Sequence, residues 1–240
     1  HDDFRFKITD HQAEYLAVQK LGFEGFADRR AWQAGYESAL FQQYENIAPF
    51  LPKNCHRILD IGSGLSMLPF YLALEGKRVL SIDSDETQNK IRALVAQDER
   101  FKGANQIIQD GTVFDLEPQT FDAVLLISMI QDIENDTETV LETSKFVKQG
   151  GILAISTSFY HSYIPFPDAN RTIVTDRPSG HCDSRIYDKV SIYERIINPL
   201  LESGMTLIGD TDFETIDMKD PYYSPVRGLY GFARLFFRRT

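Results

Sequence analysis

The chain has 240 residues, 42% of them hydrophobic and 25% charged, which suits one α/β domain with a modest appendage and excludes wholesale disorder. A net charge of −10 with no basic cluster disfavours nucleic acid and anionic membrane surfaces as partners. The two cysteines, Cys55 and Cys182, are too far apart to suggest a disulfide framework; no apolar run reaches membrane-spanning length and no signal-peptide pattern opens the chain, so a cytoplasmic setting is expected.

Residues 1–52 read as a helical lid outside any sheet. His11–Leu21 has mixed helical periodicity, and Asp28–Ile47 sets Trp32, Tyr36, Ala39, Leu40 and Tyr44 at helical spacing before Pro49 and Pro52 stop it. The plain role for these aromatics is packing the helix onto a sheet. The functional role is a lid over a site, with Trp32 or Tyr36 facing substrate.

From Arg57 strands and helices alternate. Arg57–Asp60 is a short strand ending in an acid. Met67–Glu75 reads as a helix stopped by Gly76. Arg78–Asp83 is a strand, Asp85–Gln97 a helix and Gln106–Gln109 a strand. The wholly apolar run Ala123–Ser128 suits a central parallel strand covered on both faces. Asp136–Val147 is a helix, with Asn135 and Glu138 resembling a capping box. Gly150–Gly151 breaks the chain before the strand Ile152–Thr157. Residues 158–187 read as an irregular insertion rich in Pro and Gly. Asp188–Leu201 is helical, and Met205–Phe213 and Tyr230–Arg238 are strands. Arg234, Arg238 and Arg239 interleave with Leu and Phe, as on a strand with one solvated face. Such alternation implies a doubly wound, mostly parallel sheet.

The central signal is Ile58–Gly64, where a strand ends, the chain turns on glycines and a helix follows. Gly62 and Gly64 allow a ligand close to the backbone. The dinucleotide fingerprint G-x-G-x-x-G fails here, because its third glycine is Met67. Asp60 stands two residues before Gly62; a carboxylate there repels a pyrophosphate and suits a ligand bearing an ammonium group, as S-adenosylmethionine does. Asp83 closes the next strand, where an acid accepts hydrogen bonds from the ribose hydroxyls of an adenosine. Asp110–Gly111 follows the third strand. Its carboxylate suits the adenine amino group, and the Gly111 and Thr112 N–H groups are expected to face the ring edge. Each aspartate alone has a plain role as a helix N-cap or turn residue. The ordered set at successive strand ends is more specific.

These stretches resemble the class I, Rossmann-like S-adenosylmethionine-dependent methyltransferase family, over roughly Arg57–Thr157 and more loosely to the C-terminus. "LDIGSG" at Leu59–Gly64 resembles its D/E-x-G-x-G-x-G loop, with Ser66 at the final glycine. "SID" at Ser81–Asp83, "QDGTVFDL" at Gln109–Leu116, "FDAVLLISMIQDI" at Phe121–Ile133 and "VKQGGILAIST" at Val147–Thr157 resemble the ribose acid, the adenine loop, the fourth-strand motif and the turn into the fifth strand. The fourth-strand motif departs from the family at Asp132, preceded by Gln131, where a His is common. The resemblance implies a seven-stranded sheet with a C-terminal antiparallel hairpin, a lid at 1–52 and a methyltransferase domain at 53–240 carrying its substrate-region insertion at 158–187. It implies that S-adenosylmethionine binds at Asp60, Gly62, Ser63, Gly64, Asp83, Ser84, Asp110, Gly111, Thr112 and Ser128, leaving S-adenosylhomocysteine as product.

Methyl transfer needs alignment of a nucleophile and, for an oxygen acceptor, a base. Phe159–Tyr163 follows the fifth strand, and His161 is the base candidate because its ordinary pKa lies near neutrality. Tyr160 and His181 join it as catalytic candidates. Tyr163, Arg185, Trp32 and Tyr36 are candidates to line a substrate pocket. Gly180–Tyr187 holds His, Cys and Asp, but adjacent residues rarely converge on one ion, so no metal is expected. His181, Arg185 and Tyr187 resemble a family segment leading into the next helix, and His181 and Arg185 are expected to position this connection and the substrate. The acidic charge and compact length favour a small-molecule acceptor, such as a sugar, a natural-product intermediate or a short acid; oxygen is the atom expected to take the methyl group. A non-catalytic cofactor-binding module and a nicotinamide-dependent oxidoreductase remain as alternatives.

Overall fold

The computed structural model describes residues 47–64, 66, 68–97, 101–117, 119–160, 172–177, 180–185, 187, 189–215 and 230–240. Residues 1–46 of the expected lid at 1–52 therefore lie outside the described residues. Two compact units meet in sequence at Asp115 and Leu116.

The first unit alternates strand and helix: β1 (Arg57–Ile61), α1 (Leu68–Leu74), β2 (Arg78–Asp83), α2 (Glu86–Val95) and β3 (Gln106–Asp110). β1 pairs in parallel with β2, and β2 with β3. Ile58, Leu59, Val79 and Ile82 have almost no exposure, and α1 adds Phe70 and Leu72 to the same core. Alternate residues of a strand point to opposite faces, so buried neighbours along β1 and β2 mean that both faces are covered. The parallel register sets Asp83 opposite Asp110 at the strand ends, and Asp60 opposite Ser81.

The second unit holds β4 (Phe121–Ile127), α3 (Asp136–Ser144), β5 (Val147–Tyr160), β6 (Thr172–Arg177), β7 (Gly180–Arg185), α4 (Lys189–Ile192), a π-helical turn at Tyr193–Ile197, α5 (Asn198–Glu202), β8 (Met205–Thr215) and β9 (Tyr230–Arg239). β4 and β5 are parallel, while β9 lies antiparallel between β5 and β8. The sheet order is β3-β2-β1-β4-β5-β9-β8. This is the doubly wound, mostly parallel seven-stranded α/β sheet with its C-terminal antiparallel hairpin, as expected.

Several local expectations change. Gly150 and Gly151 do not break the chain but lie within β5. The pairing with β4 slips there: Phe121 faces Val147, and the next regular pair is Ala123 with Ile152. Gly151 is required by crowding, because a Cβ would come within 2.9 Å of the Asp122 and Lys148 carbonyl oxygens. Residues 158–187 are not wholly irregular. β5 continues to Tyr160 along β9, and β6 and β7 form an antiparallel pair of their own. Asn135 forms no capping box; it makes no side-chain cap bond and its amide reaches the Glu138 carboxylate at 3.3 Å. The helix expected at Asp188–Leu201 is divided by the π-turn, and Pro199 falls in the first turn of α5, where its missing N–H costs nothing. β9 has no wholly solvated face. Ala233–Phe237 are all buried, Arg234 included, so side chains on both faces of the strand are covered.

Candidate functional site

The site is built where β1, β2 and β3 end. Past β1 the chain turns through Gly62 (φ 66°) and Gly64 (φ 51°), a left-handed backbone that side chains disfavour. The Gly62 N–H donates to the Ile82 carbonyl at 2.9 Å, and the Gly64 N–H donates to Asp83 Oδ2 at 2.7 Å. The carboxylate of β2 therefore holds the glycine loop. Its Oδ1 accepts the Asp85 N–H at 2.9 Å. Each oxygen keeps a second lone pair. Ser84, next along, is exposed.

Asp60 is 3% exposed, and Ser63 Oγ donates to its Oδ2. Burial pushes the Asp60 carboxyl up to about 6, against the Ser63 hydrogen bond and the Arg92 cation, while Asp83 adds repulsion. Arg92, on α2, is 1% exposed. Burial lowers its pKa, and Asp60 and Asp83 act to raise it. The unit thus holds a buried charge cluster beside its glycine loop.

Asp110 is exposed at the end of β3, and its Oδ1 accepts from Asn89 Nδ2 at 2.7 Å. The Gly111 and Thr112 N–H groups differ from expectation. Gly111 N–H donates to the Asp83 carbonyl at 3.0 Å, and Thr112 N–H to Asp115 Oδ2 at 2.7 Å. The Thr112 hydroxyl donates to the same Asp115 oxygen at 2.8 Å. Those Thr112 bonds, backbone first, hold the Asp115 carboxyl below its ordinary value. Both N–H groups brace the loop in this conformation instead of facing outward, and Asp115 is the partner that sequence reasoning missed.

In the second unit, Ser128 ends β4 with φ 54°, the single described non-glycine residue in the left-handed region. Its N–H donates to the Ser156 carbonyl at 2.9 Å. Gln131, buried, donates to the Ser128 carbonyl at 2.7 Å and accepts from the Thr157 hydroxyl at 3.1 Å. It ties the strained turn to β5. Tyr187 is buried and donates to Asp136 Oδ2 at 2.6 Å; Arg195 binds both oxygens of that fully buried carboxylate, Nε at 2.8 Å and Nη2 at 2.5 Å. Asp136 in turn raises the Arg195 pKa by accepting these bonds. Tyr187, which the sequence marked only as part of a resembling segment, anchors the chain after β7.

Tyr160 ends β5, while His181 and Arg185 lie on β7, all three with side chains outside the described residues. Trp32, Tyr36, His161 and Tyr163 lie outside them entirely. Among the described residues no group of three or more His, Cys, Asp or Glu is placed to hold a metal, and no helix is long and apolar enough to cross a membrane.

A family model described as a methyltransferase domain matches residues 59–155. Over those residues the chain is similar to the class I, Rossmann-like S-adenosylmethionine-dependent methyltransferase family. The match opens on Leu59 in β1 and closes on Ile155 in β5. The chain is 25% identical over 179 residues to the ubiquinone biosynthesis O-methyltransferase of Rickettsia akari, an alignment covering 71% of this chain and 63% of that protein, less than two thirds of its length. Among solved structures it resembles coclaurine N-methyltransferase bound to N-methylheliamine and SAH, with TM-score 0.63, 11% identity, and 84% and 71% of the two chains covered. It also resembles the [4+2]-cyclase SpnF, with TM-score 0.62, 17% identity, and 82% and 80% covered. A cyclase and a methyltransferase on one fold show that the fold alone does not determine the reaction.

Proposed function

We propose that the chain binds S-adenosylmethionine at the strand ends of its first unit and catalyses methyl transfer to a small-molecule acceptor, on oxygen. The observation that carries the reading is the bonding of those three ends: Asp83 holds Gly64, its carbonyl holds Gly111, and Asn89 joins it to Asp110. These residues fit a cationic amino-acid nucleoside. The Asp83 lone pairs suit ribose hydroxyls, the Asp60 charge suits an ammonium group, and the open backbone at Gly62 and Gly64 admits a ligand closely. Asp110 suits the adenine amino group, and Ser63, Ser84, Gly111 and Thr112 are proposed to line the same strand ends.

When bound, the cofactor supplies a sulfonium-activated methyl group. The chain's own work is then to align the acceptor and take its proton. His161 is the proposed base, Tyr160 and His181 are further proposed catalytic residues, and Trp32, Tyr36, Tyr163 and Arg185 are proposed to hold the acceptor. An oxygen acceptor is supported by the relative's name, an O-methyltransferase. Small size is supported by the acidic charge, which opposes polyanions.

Calorimetry with S-adenosylhomocysteine and with NADH, then mass spectrometry of a panel of small hydroxyl acceptors incubated with S-adenosylmethionine, tests the reading. Binding of the homocysteine nucleoside and a gain of one methyl on an acceptor are expected. Binding of NADH alone overturns the cofactor, and cofactor binding without turnover across the panel favours a non-catalytic module. His161→Ala should lower turnover and spare cofactor affinity; unchanged turnover removes the base role.

A further inference from the structure

Helix α2 carries two polar residues on a face where a helix covering a sheet ordinarily places apolar ones. Asn89 is 4% exposed and Arg92 1% exposed, three positions apart and so on one side of the helix. Asn89 Nδ2 donates to the Asp83 carbonyl at 2.8 Å and to Asp110 Oδ1 at 2.7 Å, with the Gln109 carbonyl at 3.5 Å. Its Oδ1 accepts from Arg92 Nη1 at 3.4 Å.

This bonding has one consistent orientation. A guanidinium only donates, and a carbonyl or ionised carboxylate only accepts. The Asn89 oxygen must therefore face Arg92, and its amide nitrogen must face the strand ends. The remaining Arg92 atoms, Nε and Nη2, are buried without a hydrogen-bond partner. Burying such a cation is costly unless nearby negative charge compensates it, and Asp60 and Asp83 lie near enough to act on it. A purely structural core has no use for this arrangement, since apolar residues of similar volume cover a sheet at lower cost.

We propose that Asn89, oriented by Arg92, is a positioning residue that sets the cofactor's base specificity. It occupies one oxygen of the exposed Asp110 carboxylate and leaves the other, Oδ2, aimed for a donor on the ligand. Oδ2 takes no hydrogen bond from any described residue. A carboxylate held in this way accepts from an exocyclic amino group and rejects a carbonyl oxygen at the same place. This rests on the reading of Asp110 as the adenine contact.

The test compares S-adenosylhomocysteine with S-inosylhomocysteine, in which the amino group is replaced by oxygen, by calorimetry on the full chain. The unaltered protein should prefer the adenine compound by about tenfold or more, the scale of one hydrogen bond to a charged group. Asp110→Ala should abolish the preference. Asn89→Ala should reduce it to about threefold or less by freeing the carboxylate to turn away. Should that variant not fold, Asn89→Leu, of similar volume, makes the same test. Equal weakening of both ligands by the Asn89 variants, or no change in their ratio, overturns the positioning role. No binding of either compound to the unaltered protein, or a preference that survives Asp110→Ala, instead overturns the reading of the site beneath it.

Discussion

Asn in place of Asp60 should stabilise the protein near neutral pH while weakening it as a cofactor binder. The Asp60 carboxyl is 3% exposed and titrates at about 6 in the fold, against 3.8 as its ordinary value. A raised acid holds its extra proton in the folded state between those two values. Its stabilising contribution is complete below about 3.8 and is lost as pH rises through about 6. A shift of roughly two units corresponds to about 3 kcal/mol. Asparagine copies the neutral form and still accepts from Ser63 Oγ. The stability of Asp60→Asn relative to the unaltered protein should therefore climb by roughly 3 kcal/mol across that interval and stay level above it. Urea denaturation at a series of pH values from 4 to 8 measures it. A gap that does not change with pH would refute the reasoning, because the desolvated charge would then cost nothing. The same carboxylate, opposed to a ligand ammonium, ties binding to proton release. S-adenosylhomocysteine affinity should fall as pH drops below about 6, and calorimetry in buffers of different ionisation heat should register a released proton.

Three further outcomes follow from the bonding. Asp83→Ala removes the acceptor of the Gly64 and Asp85 N–H groups as well as the proposed ribose contact, and should weaken S-adenosylhomocysteine by about 1.5–3 kcal/mol in calorimetry; unchanged affinity would move the ribose elsewhere. Tyr187→Phe withdraws a donor from the buried Asp136 and should cost about 1–3 kcal/mol by urea denaturation, whereas Arg195→Met leaves that carboxylate without its cation and should cost about 3–5 kcal/mol; the reverse ranking would contradict the assignment. Ser128→Gly relieves the left-handed backbone at the end of β4 and should raise stability by about 1 kcal/mol, less what its N–H and carbonyl bonds lose in added freedom; a large loss of stability would show that the hydroxyl, not the backbone, matters there.

The order of strands and helices was legible in the sequence because apolar periodicity and glycine stops are local. Arg78–Asp83 and Ala123–Ser128 read as strands from their side chains alone, the second observed at Phe121–Ile127, and Asp60, Asp83 and Asp110 stand out as acids at successive strand ends. What pairs with what is not local. Arg234 looks like a solvated residue in its own segment, yet it is buried, as are its neighbours on the opposite face of β9. Gly150–Gly151 reads as a break and is a slip in register against Phe121 and Asp122. Tyr187, Asp136 and Arg195 meet across 51 and 59 residues of sequence, a distance no motif encodes. Asn89 and Arg92 look like ordinary polar positions of an exposed helix until the packing of α2 turns them inward. Residue chemistry and short-range pattern thus determined the fold class and marked the acids proposed for the site. Only the tertiary structure decided which donors those acids already hold, because a hydrogen bond is an agreement between two places in space that the chain reaches separately.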